Sequence, residues 1–527
     1  MTGAPSAGLS AEPKATYFNT SYTLKSWLFT TDHKRIALLY LLVASGFAAL
    51  GGAAALLLRY ELVTPQQELL QDLYARLFTV HGGAMVFLFI LPAMLGVLAN
   101  FLLPLMLGAE NMAHPRLNLL SFYLYAVGSS VAVAEITYGG SDAGWNFFAP
   151  YSTQFTDARI LPGLTLLLLV SVGMALMAYN IFATVQKRRI RGMQLEKLPM
   201  TVWGFYVASK AMLVGALFML VWIILTATFR EMSLGYVSYN LDVTQQLLVH
   251  SFWIYAHTTI YMLMLPAIGI VADIVATFAR RPLFGRTGVR HSMMGLAVLT
   301  SLSWGIHLFT GAQWSLLNLF FSLLAYLGAV PLAVIILSLF NTLRQGKTSG
   351  NAAMVFAYGV LMSLALYWAS SLALYSPLTA QALLNTQFES ANFHFLMLGV
   401  VTMAFLAAIH FWWPKATGKQ YSEFWAKISA WSMIFGILGL LLPGLLLGLQ
   451  GMRTRVVAYP AGWQMLNQLA STSSLLIALG FALPGLYFLF AILGGKDSDN
   501  NPWETEGLEW RTTSPPPPQN FSSEMLK

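Results

Sequence analysis

Twelve apolar runs, each near or above the length of a membrane-spanning helix, set what this chain can fold into. They fall at approximately 36–58, 78–104, 118–138, 160–186, 201–228, 247–278, 292–310, 314–342, 352–376, 391–413, 424–450 and 467–494. A helix needs about 20 apolar residues to cross the hydrocarbon core of a bilayer. No water reaches its backbone there, and a helix satisfies all its backbone hydrogen bonds within one segment. A transmembrane barrel would show shorter segments, about ten residues long and alternating in polarity. Composition agrees: of 527 residues, 57% are hydrophobic and 9% charged, outside the range of soluble globular domains. The expected fold is an all-α polytopic membrane protein of about twelve transmembrane helices. It divides into an N-terminal tail over 1–35, a membrane domain over 36–494 and a Pro-rich tail over 495–527, with no internal repeat.

The placement of basic residues orients these spans. The runs Lys187-Arg188-Arg189 with Arg191, Arg280-Arg281 with Arg286 and Arg290, Arg344 with Lys347, and Lys415 with Lys419 all fall on one side. The positive-inside rule makes that side cytoplasmic, together with both termini. The polar first 25 residues carry no signal-peptide pattern, and a multi-pass protein of a bacterial-type inner membrane is expected. Nothing in this pattern suggests nucleic-acid binding. The opposite loops are rich in Gly, Tyr, Trp, Ser and Thr, as in 138–145, but one of them carries Arg453 and Arg455. Two arginines there call for an anion.

The chain has no cysteine, so thiolate metal sites, iron–sulfur ligation and thioether-bound haem are excluded. Its nine histidines are therefore the first ligands to consider. Histidine inside a span is costly and usually has a partner or a ligand. His81, early in the second span, and His394, early in the tenth, lie at matched depth in the outer part of the membrane. Two imidazoles so placed can hold a haem plane between two helices as a six-coordinate, low-spin iron. The alternative is two unrelated polar core residues. Arg59, at the outer end of the first span, lies at similar depth, and haem propionates would supply the anion for the loop arginines. Asn392, two residues before His394, points roughly 200° away around the helix and faces other neighbours. His257 and Tyr261 share one helix face, and His307 lies at a depth to join them. Such a group can hold copper or line a redox cavity. His250 sits nearer a span edge, and His33, His114, His291 and His410 read as interfacial.

These stretches resemble subunit I of the haem-copper oxidases, specifically the A-type cytochrome c oxidases, along nearly the whole chain. The matching segments are Thr31 to Arg35, Phe78 to Gly82, Ala143 to Trp145, His250 to Trp253, Ala256-His257, Trp304 to Thr310, Asn392 to His394, Gly451 to Pro460 and Asn501 to Trp503. The resemblance implies that His81 and His394 are the axial ligands of a low-spin haem. It implies that Arg59 bonds the formyl group of haem A and that Arg455 is one of two arginines on the propionates. It implies further a subunit II-like partner carrying a dinuclear copper centre, a subunit III-like partner, and cytochrome c or another outer electron donor.

The oxygen-reducing half departs from the family pattern. Asn392 stands where the high-spin haem has its histidine, and Ile306-His307 stands where the family has two copper-ligating histidines. His257 matches the third copper ligand and Tyr261 the tyrosine joined to it. The proton-path positions hold Thr258, Thr259, Asn111 and Ile335, and the family's magnesium-holding pair is Leu384-Asn385. An amide is a poor haem-iron ligand and isoleucine cannot bind copper. The expectation is an electron-transfer subunit with one low-spin haem, of the A type by resemblance, that has lost its second haem and copper. His257 and His307 are kept as a residual copper site, and Tyr261 as a catalytic remnant. The alternatives are a working terminal oxidase with an altered centre and a cofactor-free structural subunit. Lys210, inside the fifth span, and Glu389, a turn before Asn392, have no family counterpart. Each could be a proton carrier or an ion-pair partner; otherwise Lys210 snorkels and Glu389 sits in the outer loop.

Overall fold

The computed structural model describes residues 15–147, 151–152, 160–233, 241–308, 315–347 and 350–521. Thr310, at the end of one family-like stretch, lies outside them. Among the described residues there are only helices, turns and two isolated β-bridges, and no strands. Eleven helices are long and apolar enough to cross a membrane. They are α1 His33–Glu61, α2 Gln71–Leu107, α3 Pro115–Thr137, α4 Ile160–Lys187, α5 Met200–Arg230 and α6 Leu247–Phe278. After α7 come α8 Leu316–Gln345, α9 Ala352–Tyr375, α10 Gln387–Thr417, α11 Glu423–Leu449 and α12 Ala461–Gly494. The seventh expected span is a shorter helix, α7 Arg286–Leu302, followed by a 3₁₀ turn at Trp304–Leu308. With it the bundle has the expected twelve members.

Helix ends follow from local chemistry. The Asp32 carboxylate caps α1, accepting from the Lys34 amide at 2.9 Å, a contact of about 1 kcal/mol. The start of α5 is capped from another helix: Asp273 of α6 accepts from the Met200 and Thr201 amides at 3.1 and 2.8 Å.

Three helices, α2, α6 and α10, are enclosed by their neighbours along most of their length, whereas α1, α3, α5 and α12 show most of their apolar surface to the outside. The enclosed three carry His81, His257 and His394. Directly after each of His81 and His394 the helix widens into π-helical turns, at Ala84–Ile90 and Phe395–Thr402. These two segments touch each other. Such turns are uncommon and concentrate at functional sites.

The last span ends at Gly494, where the C-terminal stretch was expected to begin. Helix α1 begins at His33, inside the stretch read as a tail, because Asp32 caps it. The Pro-rich C-terminal stretch is polar, as expected, but it folds back as a strap across the helix ends where both chain ends meet. Asn520 is fully buried; its amide donates to the Ala109 and Glu110 carbonyls at 2.9 and 3.1 Å and accepts from the Lys34 ammonium at 2.6 Å. The Trp503 indole donates to the Phe411 carbonyl at 2.8 Å, and the Lys415 ammonium to the Thr512 carbonyl at 2.7 Å.

Candidate functional site

A cavity of about 1920 Å³ runs along the bundle, from Arg453 and Arg455 at one end to Trp413 and Ile492 near the strap. The His81 and His394 rings face each other across it with centroids 6.1 Å apart and planes 3° from parallel. Two metal–imidazole bonds of about 2 Å each, plus about 1.1 Å from each nitrogen to its ring centre, place two such rings about 6.2 Å apart on one ion. The observed spacing fits an ion between them. Each ring is also held in one tautomer. His81 Nδ1 donates to the Gly51 carbonyl at 2.9 Å, and His394 Nδ1 donates to the Ser390 carbonyl at 2.7 Å. In the neutral imidazoles this leaves Nε2 as the lone-pair nitrogen, the arrangement that metal-binding histidines adopt. Gly51 is needed for this approach: a Cβ there would lie 2.8 Å from the Met85 sulfur.

Two arginines border the same part of the cavity. Arg59 donates through Nη2 to the Asn467 carbonyl at 3.1 Å and to Ser471 Oγ at 3.2 Å, while its Nε is buried without a partner. An unpartnered buried guanidinium nitrogen beside a cavity suits an acceptor on a bound group. The Arg455 guanidinium lies 4.5 Å from the Phe78 ring centre, and Arg455 has a left-handed backbone, φ 59°. Desolvation holds Arg455 below the usual guanidinium range. Gly144, at φ 79°, gives its Nη2 room, since a Cβ would come within 3.1 Å.

Asn392 points the other way, as its helical offset from His394 predicts. It is buried, and its amide donates to Ser370 Oγ and Ser371 Oγ, both at 2.9 Å, and to the Tyr367 carbonyl at 3.3 Å, all on α9. The amide nitrogen is therefore committed to a hydrogen-bond cluster. His257 and His307 meet directly, with Nε2 atoms 2.9 Å apart, and His257 Nδ1 donates to the Thr300 carbonyl at 2.8 Å. The Tyr261 ring lies 4.6 Å from that of His257, and the His307 ring stacks on Trp253 at 3.5 Å and 7°. All of these residues except Ser370 line the same cavity.

Several histidines differ from the interfacial reading. His33 and His410 are fully buried. His33 Nδ1 donates to the Asn100 carbonyl at 2.7 Å, and its Nε2 accepts from the Asn520 amide at 2.9 Å. His410 bonds the Tyr487 hydroxyl. Partners 487 and 77 residues away are invisible to local pattern. Glu389 does not sit in a loop; it lies on α10 and faces the cavity, a placement that only the fold reveals. Lys210 is exposed on α5 with its ammonium 3.9 Å from the Tyr206 ring centre, one turn nearer the basic helix end, so it snorkels along the bundle surface. Of the expected proton-path positions, Thr259 and Ile335 are buried, and the Asn111 side chain bonds the Thr31 carbonyl at 2.9 Å.

A twelve-helix bundle with facing imidazoles around a deep cavity defines a class: membrane redox subunits that hold metal cofactors between helices. The chain belongs to the Cytochrome C and Quinol oxidase polypeptide I family, whose model matches residues 35–476. It is thus a cytochrome c oxidase subunit I-like respiratory membrane protein of the haem-copper oxidase superfamily. It is 35% identical over 514 residues to the putative cytochrome c oxidase subunit 1-beta of Streptomyces coelicolor, covering 95% of this chain and 88% of that protein. It is 31% identical over 503 residues to cytochrome c oxidase subunit 1 of Synechocystis sp., covering 94% and 90%. A haem-copper terminal oxidase dimer solved by cryo-electron microscopy shares the fold, with TM-score 0.76, 16% identity, and coverage of 88% of this chain and 85% of that one.

Proposed function

We propose that this chain carries electrons through one low-spin haem and that its second, oxygen-reducing centre is no longer built in the family manner. The observation that carries this reading is the contrast inside one cavity. Parallel imidazoles stand 6.1 Å apart with both Nδ1 atoms tied to carbonyls, while the family's second haem-ligand position holds Asn392, an amide whose nitrogen donates to Ser370 and Ser371. His81 and His394 would hold the haem, of the A type by family resemblance, and the bound haem supplies a one-electron couple. The residues around it supply the rest. The Gly51 and Ser390 carbonyls fix the ligand tautomers, Arg59 Nε offers a donor, and Arg455 with Arg453 balances negative charge at the cavity rim. The reading includes a multi-pass placement in a bacterial-type inner membrane with both termini cytoplasmic. It also includes subunit II-like and III-like partners and cytochrome c or another outer donor. The subunit II-like partner would carry the dinuclear copper centre, since this chain has no cysteine.

A second reading, a terminal oxidase with an altered centre, has one observation in its favour: His257, His307 and Tyr261 remain clustered on the cavity wall. The dithionite-reduced spectrum of the purified protein, with and without carbon monoxide, separates the two. Carbon monoxide ligates an open haem and ignores one held by two histidines. A single low-spin band unmoved by the gas is expected. A component that shifts with carbon monoxide, with oxygen uptake abolished in His257→Ala, transfers the assignment to the oxidase. Purified protein with no haem band leaves a structural subunit.

A further inference from the structure

The second histidine pair poses a hydrogen-bonding problem. The Thr300 carbonyl only accepts, so His257 Nδ1, 2.8 Å from it, carries a proton. In the neutral ring His257 Nε2 is then a lone pair. The 2.9 Å contact between the two Nε2 atoms therefore requires the proton on His307 Nε2. That leaves His307 Nδ1 as a bare lone pair, buried and without a hydrogen-bond partner. Opposite it, 3.9 Å away, is Glu389 Oε1. Two acceptors face each other, an arrangement that stabilises neither.

The His307 ring and one oxygen of the Glu389 carboxylate are held in place. The His307 ring is stacked on Trp253 at 3.5 Å and 7°. The other Glu389 oxygen, Oε2, accepts from the Asn385 amide at 2.6 Å, and Asn385 is itself in the left-handed conformation, φ 60°. Nitrogens 2.9 Å apart can share one ion at about 2 Å from each, subtending about 90°. With an ion there both Nε2 lone pairs are used, and the His307 proton moves to Nδ1. A small rotation of the carboxylate then makes Nδ1–H a donor to Glu389, and every polar atom of the group is satisfied. Carboxylate–histidine–metal chains are built this way.

We propose that Glu389 is the positioning carboxylate of a two-histidine metal site formed by His257 and His307, a role that rests on reading this pair as a residual copper site. Imidazole nitrogens suit copper among the first-row metals. No cluster of three or more His, Cys, Asp or Glu side chains able to hold a metal occurs among the described residues, so the remaining coordination positions are open to an external ligand. Glu389 lies on α10, five residues before His394, and so joins the two histidine pairs through one helix.

The test loads the purified, haem-containing protein with copper alone and measures affinity by competition with a chelator, alongside the copper EPR spectrum. The low-spin haem band reports folding in every variant. Wild type is expected to hold one copper per chain and His257→Ala none. Glu389→Ala is expected to weaken binding 10- to 100-fold and to change the copper hyperfine coupling. Glu389→Gln, whose amide oxygen still accepts, should recover part of the loss. Wild-type affinity and an unchanged spectrum in folded Glu389→Ala would overturn the role of Glu389 and leave the copper site standing. Wild type that takes up no copper overturns the site and this role with it.

Discussion

The two histidine pairs share one cavity but are assembled on different plans. His81 and His394 stand on two enclosed helices, 6.1 Å apart and parallel, each pinned by a backbone carbonyl. His257 and His307 touch at 2.9 Å with their rings at 77°, and only His257 has a carbonyl behind it. The first pair is spaced so that both imidazoles could ligate one ion between them, as they would a haem iron. The second leaves room for an ion only at one edge. Beside the first pair Arg59 keeps a buried donor free; beside the second, Asn392 has spent its donors on α9. The two pairs thus differ in spacing, ring angle and backbone support, although the same bundle encloses both.

The largest effect expected is on the first pair. His81→Ala or His394→Ala should abolish the low-spin haem band completely, because one imidazole cannot give a six-coordinate iron; a reduced spectrum identical to wild type in either variant breaks the comparison at its stronger side. Asn392→His probes the weaker side. It returns a ligand-capable nitrogen to the cavity and should raise the haem-to-protein ratio from one to two, with a component that shifts under carbon monoxide. Pyridine haemochromogen analysis and gas titration check both numbers. A smaller change follows from Arg59→Leu. Loss of the positive charge and its free Nε should lower the haem midpoint potential in a redox titration, on the order of 60 mV for each 1.4 kcal/mol of lost interaction.

The smallest effect lies outside the cavity. Burial pushes the Glu509 carboxyl in the strap up to about 7, with a nearby Asp273 adding to the shift and Lys415 opposing it. A carboxyl raised on folding binds its proton more tightly in the native state. Its contribution to stability is therefore greatest below the ordinary carboxylate range and is lost as pH rises through about 7. Glu509→Gln should flatten the decline in thermal stability between about pH 5 and 8, measured by circular dichroism in detergent. A slope unchanged from wild type would show that other groups set it.

Much of this was readable before the fold was known, and for physical reasons. The spans announce themselves because a bilayer demands long apolar runs. The meeting of His81 and His394 was legible because depth along a span can be counted, which placed both at one level. The opposed directions of Asn392 and His394 follow from helical geometry alone. What stayed hidden depends on side chains far apart in sequence. His410 read as interfacial because Tyr487 lies 77 residues on, and His33 because Asn520 lies 487 residues on. Glu389 read as a loop residue because a lone carboxylate near a span end has no local signature. Only the packing of α10 against the turn that follows α7 brings it to His307.

The strap also bears on how the protein is made. Lys34 and Asn520, bonded at 2.6 Å, are 486 residues apart, so a ribosome adding about 5–20 residues per second leaves Lys34 without that partner for roughly 25 to 100 s. During that interval the first helix is already inserted while its basic end is still open to water. Final closure of this face therefore belongs to the last moments of biogenesis, after all twelve helices are in place. Chains that stop short of Asn520 should reach the membrane yet persist as quality-control substrates.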